Sequence, residues 1–204
     1  MMKNIKNGKN KGPLSKIIST MKPSTKTEIY GNMILFAFAG HDTTGHTLSW
    51  LIYELCKNLK IQLKLQNEVD NFWKIQGNRQ IKLSDFKRLK LMSLCILENL
   101  RLWPAVANGT YRELMFDDFI TGPNDEPVKI PKGTFVQIPN WHRHRNPALW
   151  GKDVDKFNPE RQFLESEVWE NNNFVGINPE SHRFSPFTYN PRSCLGKSFA
   201  HIEM

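Results

Sequence analysis

The sequence predicts a mainly α fold of the α+β class, on three observations. Apolar residues recur at three- and four-residue steps through most of the first half, which is the spacing of a helix face. Pro104 then closes the periodic stretch, and residues 105–140 alternate apolar positions with turn residues, as short strands do. Residues 141–193 are rich in Pro, Asn and His and show little periodicity before a last helical stretch near Gly196. Helices first and irregular chain later argue against repeated βαβ units and a parallel sheet.

Each element has its own warrant. Ile34, Phe38, Gly45, Leu48, Ile52, Leu55 and Leu59 predict one long helix from about Thr27 to Leu59. A second covers about Ile61 to Ile75 and ends at Gly77, and Ser84 suits the cap of a short helix beginning at Asp85. A strong helix runs from about Leu89 to Trp103 and stops at Pro104, because proline lacks a donor and clashes with the preceding turn. Turn residues at Gly122-Pro123 and Pro131-Lys132-Gly133 separate Lys129-Ile130, the end of one strand, from a strand over Thr134–Ile138.

The 204 residues are 39% hydrophobic, 11% aromatic and 24% charged, proportions that exclude wholesale disorder and coiled coil. The net charge is +8, but Lys3, Lys6, Lys9, Lys11, Lys16, Lys22 and Lys26 all precede the first acidic residue, Glu28. Those lysines account for all but one unit of the excess, so the rest of the chain is close to neutral. Residues 1–26 are therefore expected to be a disordered basic arm ahead of a domain over residues 27–204. The arm has no interleaved aromatics, so nucleic acid is not the expected partner. Cys56, Cys95 and Cys194 are odd in number and widely spaced, which speaks against a disulfide framework. The longest apolar run, Met33–Ala39, falls far short of the ~20 residues a bilayer span needs. With no leader and no anchor in the sequence, an intracellular setting is expected.

Three segments carry candidate chemistry. Ala39-Gly40-His41-Asp42-Thr43-Thr44 interrupts an otherwise bulky helix. Gly40 costs up to ~1 kcal/mol of helix propensity, and a threonine hydroxyl bonded one turn back bends helices. The result is a small-sided, polar notch, able either to face a flat ligand and pass protons or simply to pack another helix. Glu98-Asn99-Leu100-Arg101 puts two opposite charges on one helical face. Flanking leucines bury them, and buried charges must be paired, with Arg161 available as a further cation. A surface pair worth ~0.3 kcal/mol is the plainer alternative. In the third segment, Phe187 to Lys197, Cys194 lies on an irregular loop just before a helix. The first helical N–H groups favour a thiolate there. Such a sulfur serves as a nucleophile, a metal ligand or a structural thiol. No CxxC or HxxxH pattern supplies a zinc site, whereas one thiolate suffices for haem iron.

Together these segments resemble the C-terminal half of a cytochrome P450. Ala39–Thr44 is similar to the family's oxygen-activating helix motif, and Glu98–Arg101 with Trp103-Pro104 is similar to its E-x-x-R helix. Phe157-Asn158-Pro159-Glu160-Arg161 resembles the F-x-P-E-R segment, and Phe187 to Gly196 the cysteine haem loop. His144-Arg145-Asn146-Pro147 is a weaker match, expected to be structural. Asn190 stands where the haem loop usually has Gly, and Gln162 where an aromatic usually follows P-E-R, with Phe163 one position later.

The resemblance implies a mainly α (α+β) fold with a long oxygen-activating helix, the E-x-x-R helix, a small β region and the haem loop. The implied cofactor is haem, iron protoporphyrin IX, with Cys194 as axial ligand of the iron. Arg192 and Arg112 would contact propionates, Phe187 would pack near the sulfur, and Ala39 and Gly40 would leave room for dioxygen. Asp42 and Thr43 would deliver protons, and Glu98, Arg101 and Arg161 would form a structural triad. The implied activity is monooxygenation of a small organic substrate, with electrons from a P450 reductase or ferredoxin. Lys197, Arg143 and Arg145 are candidate docking charges. The resemblance leaves the family's N-terminal half unmatched, so a truncated chain and a companion chain supplying that half are expected. The alternative is a non-catalytic remnant, or a haem-binding or interaction fragment.

Overall fold

The computed structural model describes residues 13–22, 25–164, 167–170, 175–177, 181–188 and 192–204. The described residues are mainly helical with small antiparallel β pairs, in keeping with the fold class read from the sequence. The chain forms two compact units, residues 1–45 and 46–204.

In the first unit, α1 (Pro13–Thr20) precedes the start of the long helix α2 (Lys26–Lys57). Part of the stretch expected as a disordered arm is thus helical. Ile18 explains why: it is fully buried against Ile29, with Met33 and Phe36 packed on the pair. Ile29, Met33 and Phe36 share one face of α2 by their spacing. Thr25 caps α2, its hydroxyl accepting from the Glu28 N–H at 3.1 Å.

In the second unit, α2 ends at Lys57 and α3 (Leu59–Gln76) begins after a one-residue break. The Asn58 side chain marks that break by donating to the Glu54 carbonyl at 2.8 Å. Gly77 closes α3 at φ +56°, a conformation that suits glycine. A 3-10 turn, Leu83–Arg88, leads to α4 (Lys90–Leu102). Leu89 precedes α4 and has no polar side chain to cap it. Glu68 of α3 does so instead, accepting from the Leu91 and Met92 N–H groups at 2.7 and 2.9 Å. Every residue of α4 from Cys95 to Leu102 is buried, as expected of a central helix. Around it lie Leu51, Leu65, Trp150, Val154, Phe157 and Phe184. Asn99 ties α4 to the second-unit part of α2 through Thr47 O at 2.9 Å.

After Pro104 come β1 (Thr110–Glu113), β2 (Asp118–Thr121), β3 (Pro127–Ile130) and β4 (Phe135–Ile138). β1 pairs antiparallel with β4, Thr110 opposite Ile138, and β2 pairs with β3, Asp118 opposite Ile130. Gly109 enters β1 at φ +68°, and a Cβ there would come 1.8 Å from the Ile138 carbonyl oxygen. No other residue type fits that approach. The irregular stretch is shorter than its composition suggests. It contains α5 (Asn140–His144), α6 (Pro147–Trp150) and a β5–β6 pair (Val168–Glu170 with Val175–Ile177). These elements are too short to show periodicity. Helix α7 (Lys197–Glu203) follows Gly196.

Candidate functional site

The polar notch on α2 keeps its helical course. Thr43 turns its hydroxyl onto the Ala39 carbonyl at 2.6 Å, the back-bonding expected of threonine in a helix. Nothing lies within 4 Å of where a Gly40 Cβ would stand. Asp42 and Thr43 are half-buried and Ala39 is exposed.

On α4, Glu98, Asn99 and Arg101 have no solvent exposure. Glu98 Oε2 accepts from Arg101 Nε at 2.7 Å, and Oε1 accepts from Arg101 Nη2 at 2.8 Å and Arg161 Nε at 3.2 Å. The Asn158 N–H adds a further bond to Oε1 at 3.0 Å. Arg101 also donates to the His144 carbonyl at 2.8 Å. Arg161 forks onto Asp153 at 2.9 and 3.1 Å. That bond holds the Asp153 carboxyl below its usual range. Two guanidinium and two carboxylate groups therefore balance in charge, which permits the burial of Glu98, Arg101 and Arg161, while Asp153 stays partly exposed. Asp153 gave no sequence signal, because a lone acid in irregular chain reads as solvent-facing.

The third segment centres on Cys194. Its N–H donates to the Phe187 carbonyl at 2.8 Å, and Thr188 Oγ1 donates to the Arg192 carbonyl at 2.6 Å. Thr188 takes a left-handed conformation, φ +62°, unusual for a β-branched residue. Cys194 is exposed and free. A Cβ added at Gly196 would lie 3.9 Å from its sulfur. By contrast, burial pushes the Cys95 thiol up to about 12, with Glu68 and Glu98 adding to the effect, which leaves Cys95 an inert core group. The half-buried Phe187 ring lies 5.4 Å from His201, whose imidazole burial pushes down to about 4. Tyr189, Asn190 and Pro191 lie outside the described residues.

The structure thus joins Glu98, Arg101 and Arg161 in one network, and Phe187, Arg192 and Cys194 in one loop. Arg112 stands exposed on β1, donating to the Tyr111 carbonyl at 2.8 Å. Phe163 packs between Trp150 and Phe184, at 5.8 and 5.5 Å. Arg143 and Arg145, candidate docking charges by sequence, are committed to internal partners. Arg143 donates to Asn140 Oδ1 at 2.6 Å and Ser185 Oγ at 2.7 Å. The Arg145 guanidinium lies 3.4 Å from the centre of the Trp141 ring. Asn140 and Trp141 lie within four residues of their arginines, whereas Ser185 is 42 positions from Arg143 and only the fold brings it there.

The cytochrome P450 family model matches residues 6–204. The chain belongs to the cytochrome P450 family. Among curated P450 relatives, putative cytochrome P450 CYP13A3 of Caenorhabditis elegans is 33% identical over 93% of this chain and 33% of its own length. Cytochrome P450 3A12 of Canis lupus familiaris is 34% identical over 93% of this chain and 34% of its length. Cytochrome P450 3A18 of Rattus norvegicus is 33% identical over 93% of this chain and 35% of its length. The chain spans about a third of the P450s it matches. The P450 match takes in most of the basic stretch, starting at residue 6. Among the described residues, no helix is long and apolar enough to cross a membrane.

P450 membership implies haem, and the donor chemistry fits it. Among the described residues, no three His, Cys, Asp or Glu side chains cluster to hold a metal. Haem iron asks for one protein sulfur. Cys194, exposed and outside any disulfide, is chemically suited to that requirement.

Proposed function

We propose that this chain carries the haem-thiolate part of a P450-type monooxygenase. The observation that supports it most is Cys194, an exposed thiol whose loop is closed by its own N–H on the Phe187 carbonyl at 2.8 Å. Haem, when bound, supplies dioxygen activation with two electrons and insertion of one oxygen atom into an organic substrate. The residues of the chain bind, orient and move protons. Cys194 would hold the iron through its sulfur. Arg192 and Arg112 would place positive charge for the propionates, and Phe187 would pack near the sulfur. Ala39 and Gly40 keep one face of α2 small. Thr43 Oγ1, its proton held on the Ala39 carbonyl, offers lone pairs to a water, and Asp42 is the carboxylate that feeds protons toward it. Glu98, Arg101 and Arg161 hold the core and do no chemistry. Electrons come from a reductase or ferredoxin, and the substrate is a small organic molecule.

The test supplies the chain with haem, a P450 reductase, NADPH and isotope-labelled dioxygen, with a panel of apolar organic substrates. One labelled oxygen atom per product molecule is expected. A normal thiolate spectrum with no labelled product contradicts catalysis and favours a haem-binding, non-catalytic fragment.

A further inference from the structure

We propose that Glu167 and Arg183 are a positioning pair for Cys194, a buried ion pair that fixes residues 181–188 and, through them, the carbonyl anchoring the cysteine backbone. The haem arm of the test below rests on the function proposed above; the placement itself does not.

Glu167 has no solvent exposure, and both carboxylate oxygens are in use. Oε1 accepts from Arg183 Nε and, at 2.7 Å, from Ser181 Oγ. Oε2 accepts from Arg183 Nη2 and from the Leu164 N–H, both at 2.7 Å. Arg183 reaches on to the Leu149 carbonyl at 2.9 Å. Its guanidinium lies 4.2 Å from the centre of the Trp150 ring, which Arg101 also approaches at 5.3 Å. Trp150 therefore lies against cations of both buried ion-pair networks.

From this pair a continuous series of contacts runs to the cysteine. Phe184 is fully buried, its ring 5.8 Å from Trp150 and 5.1 Å from His144. The Ser185 hydroxyl accepts from Arg143 Nη2 at 2.7 Å. Phe187 then offers its carbonyl to the Cys194 N–H at 2.8 Å. A buried ion pair adds little net stability compared with apolar packing. Its two-pronged arginine geometry is directional, however, and holds chain in one position. Placement of the loop is what this pair is suited to do.

The test uses the full chain carrying Cys56→Ser, so that Cys194 is the exposed thiol. Hydrogen exchange at the Cys194 amide and alkylation of its sulfur by iodoacetamide are measured without haem. Glu167→Gln and Arg183→Lys are compared with Asp153→Asn, which breaks an ion pair to Arg161 and leaves residues 181–188 untouched. Loss of a charge-assisted bond is expected to speed exchange at the Cys194 amide by about tenfold in both pair variants. Asp153→Asn is expected to leave it within about twofold of the parent. With haem added, the pair variants show a smaller share of the red-shifted Soret band of the reduced carbon monoxide complex at equal folded fraction. Asp153→Asn keeps the parent share. Unchanged amide exchange in the pair variants, or equal change in Asp153→Asn, overturns the positioning role. A parent chain that binds haem without the red-shifted band overturns the haem reading instead, and the exchange result still judges the pair. If Glu167→Gln does not fold, Arg183→Lys decides, since it keeps the charge and loses only the fork.

Discussion

Glu98 shows how one carboxylate organises a core. It accepts four hydrogen bonds, from Arg101, Arg161 and the Asn158 N–H, with no solvent exposure. Removing its charge leaves two buried guanidinium groups short of a partner. Glu98→Gln is therefore expected to cost ~3–5 kcal/mol, read as a lower urea midpoint. A loss under ~1 kcal/mol would contradict the buried network. His144 adds a pH dependence. Burial, with Arg143, Arg101 and Arg145 nearby, pushes its imidazole from 6.5 down to about 3. Between those values the unfolded chain binds the extra proton, so this stability is whole above pH 6.5 and falls as pH drops toward 3. His201, pushed down to about 4, acts with the same sign. Unfolding free energies at pH 7 and pH 5 are expected to differ, and His144→Gln is expected to flatten the slope by up to ~1.4 kcal/mol per pH unit. An unchanged slope would mean that the imidazole is protonated in the fold.

At the scale of elements, the long helices were legible, as were β4, the end of β3, the 3-10 turn and α7, whereas α1, β1, β2 and the short pieces of residues 141–193 were not. Periodicity placed α2, α3 and α4 within a few residues, because a long helix repeats its buried face several times. Pro104 and Gly77 marked ends for the reasons that proline and glycine always do. The Lys-rich arm concealed α1, since charge outweighed Ile18, which finds a buried partner in Ile29. β1 was missed because four strand residues show only two turns of alternation. Two elements now give direct expectations. Gly109→Ala forces a Cβ into the Ile138 carbonyl at φ +68°, so it is expected to destabilise by more than ~1 kcal/mol. Faster amide exchange confined to β1 and β4 would report it, and normal protection there would refute it. Glu68→Gln weakens the cap that α3 supplies to α4, with an expected loss of ~1 kcal/mol by urea unfolding.

At the scale of the molecule, motif order carried what periodicity cannot. Glu98 and Arg161 are 63 positions apart yet meet at 3.2 Å, and only likeness to a family links such distant residues in advance. Partners without a motif, such as Asp153 to Arg161 or Glu167 to Arg183, stayed invisible because the fold alone brings them together. The sulfur of Cys194 remains the atom on which the functional account turns. Its most direct measurement is the absorption spectrum of the haem-loaded, reduced chain under carbon monoxide. A red-shifted Soret band is expected in the parent, with its loss in Cys194→Ser. A parent that binds haem without that band, or a band that survives in Cys194→Ser, would contradict it.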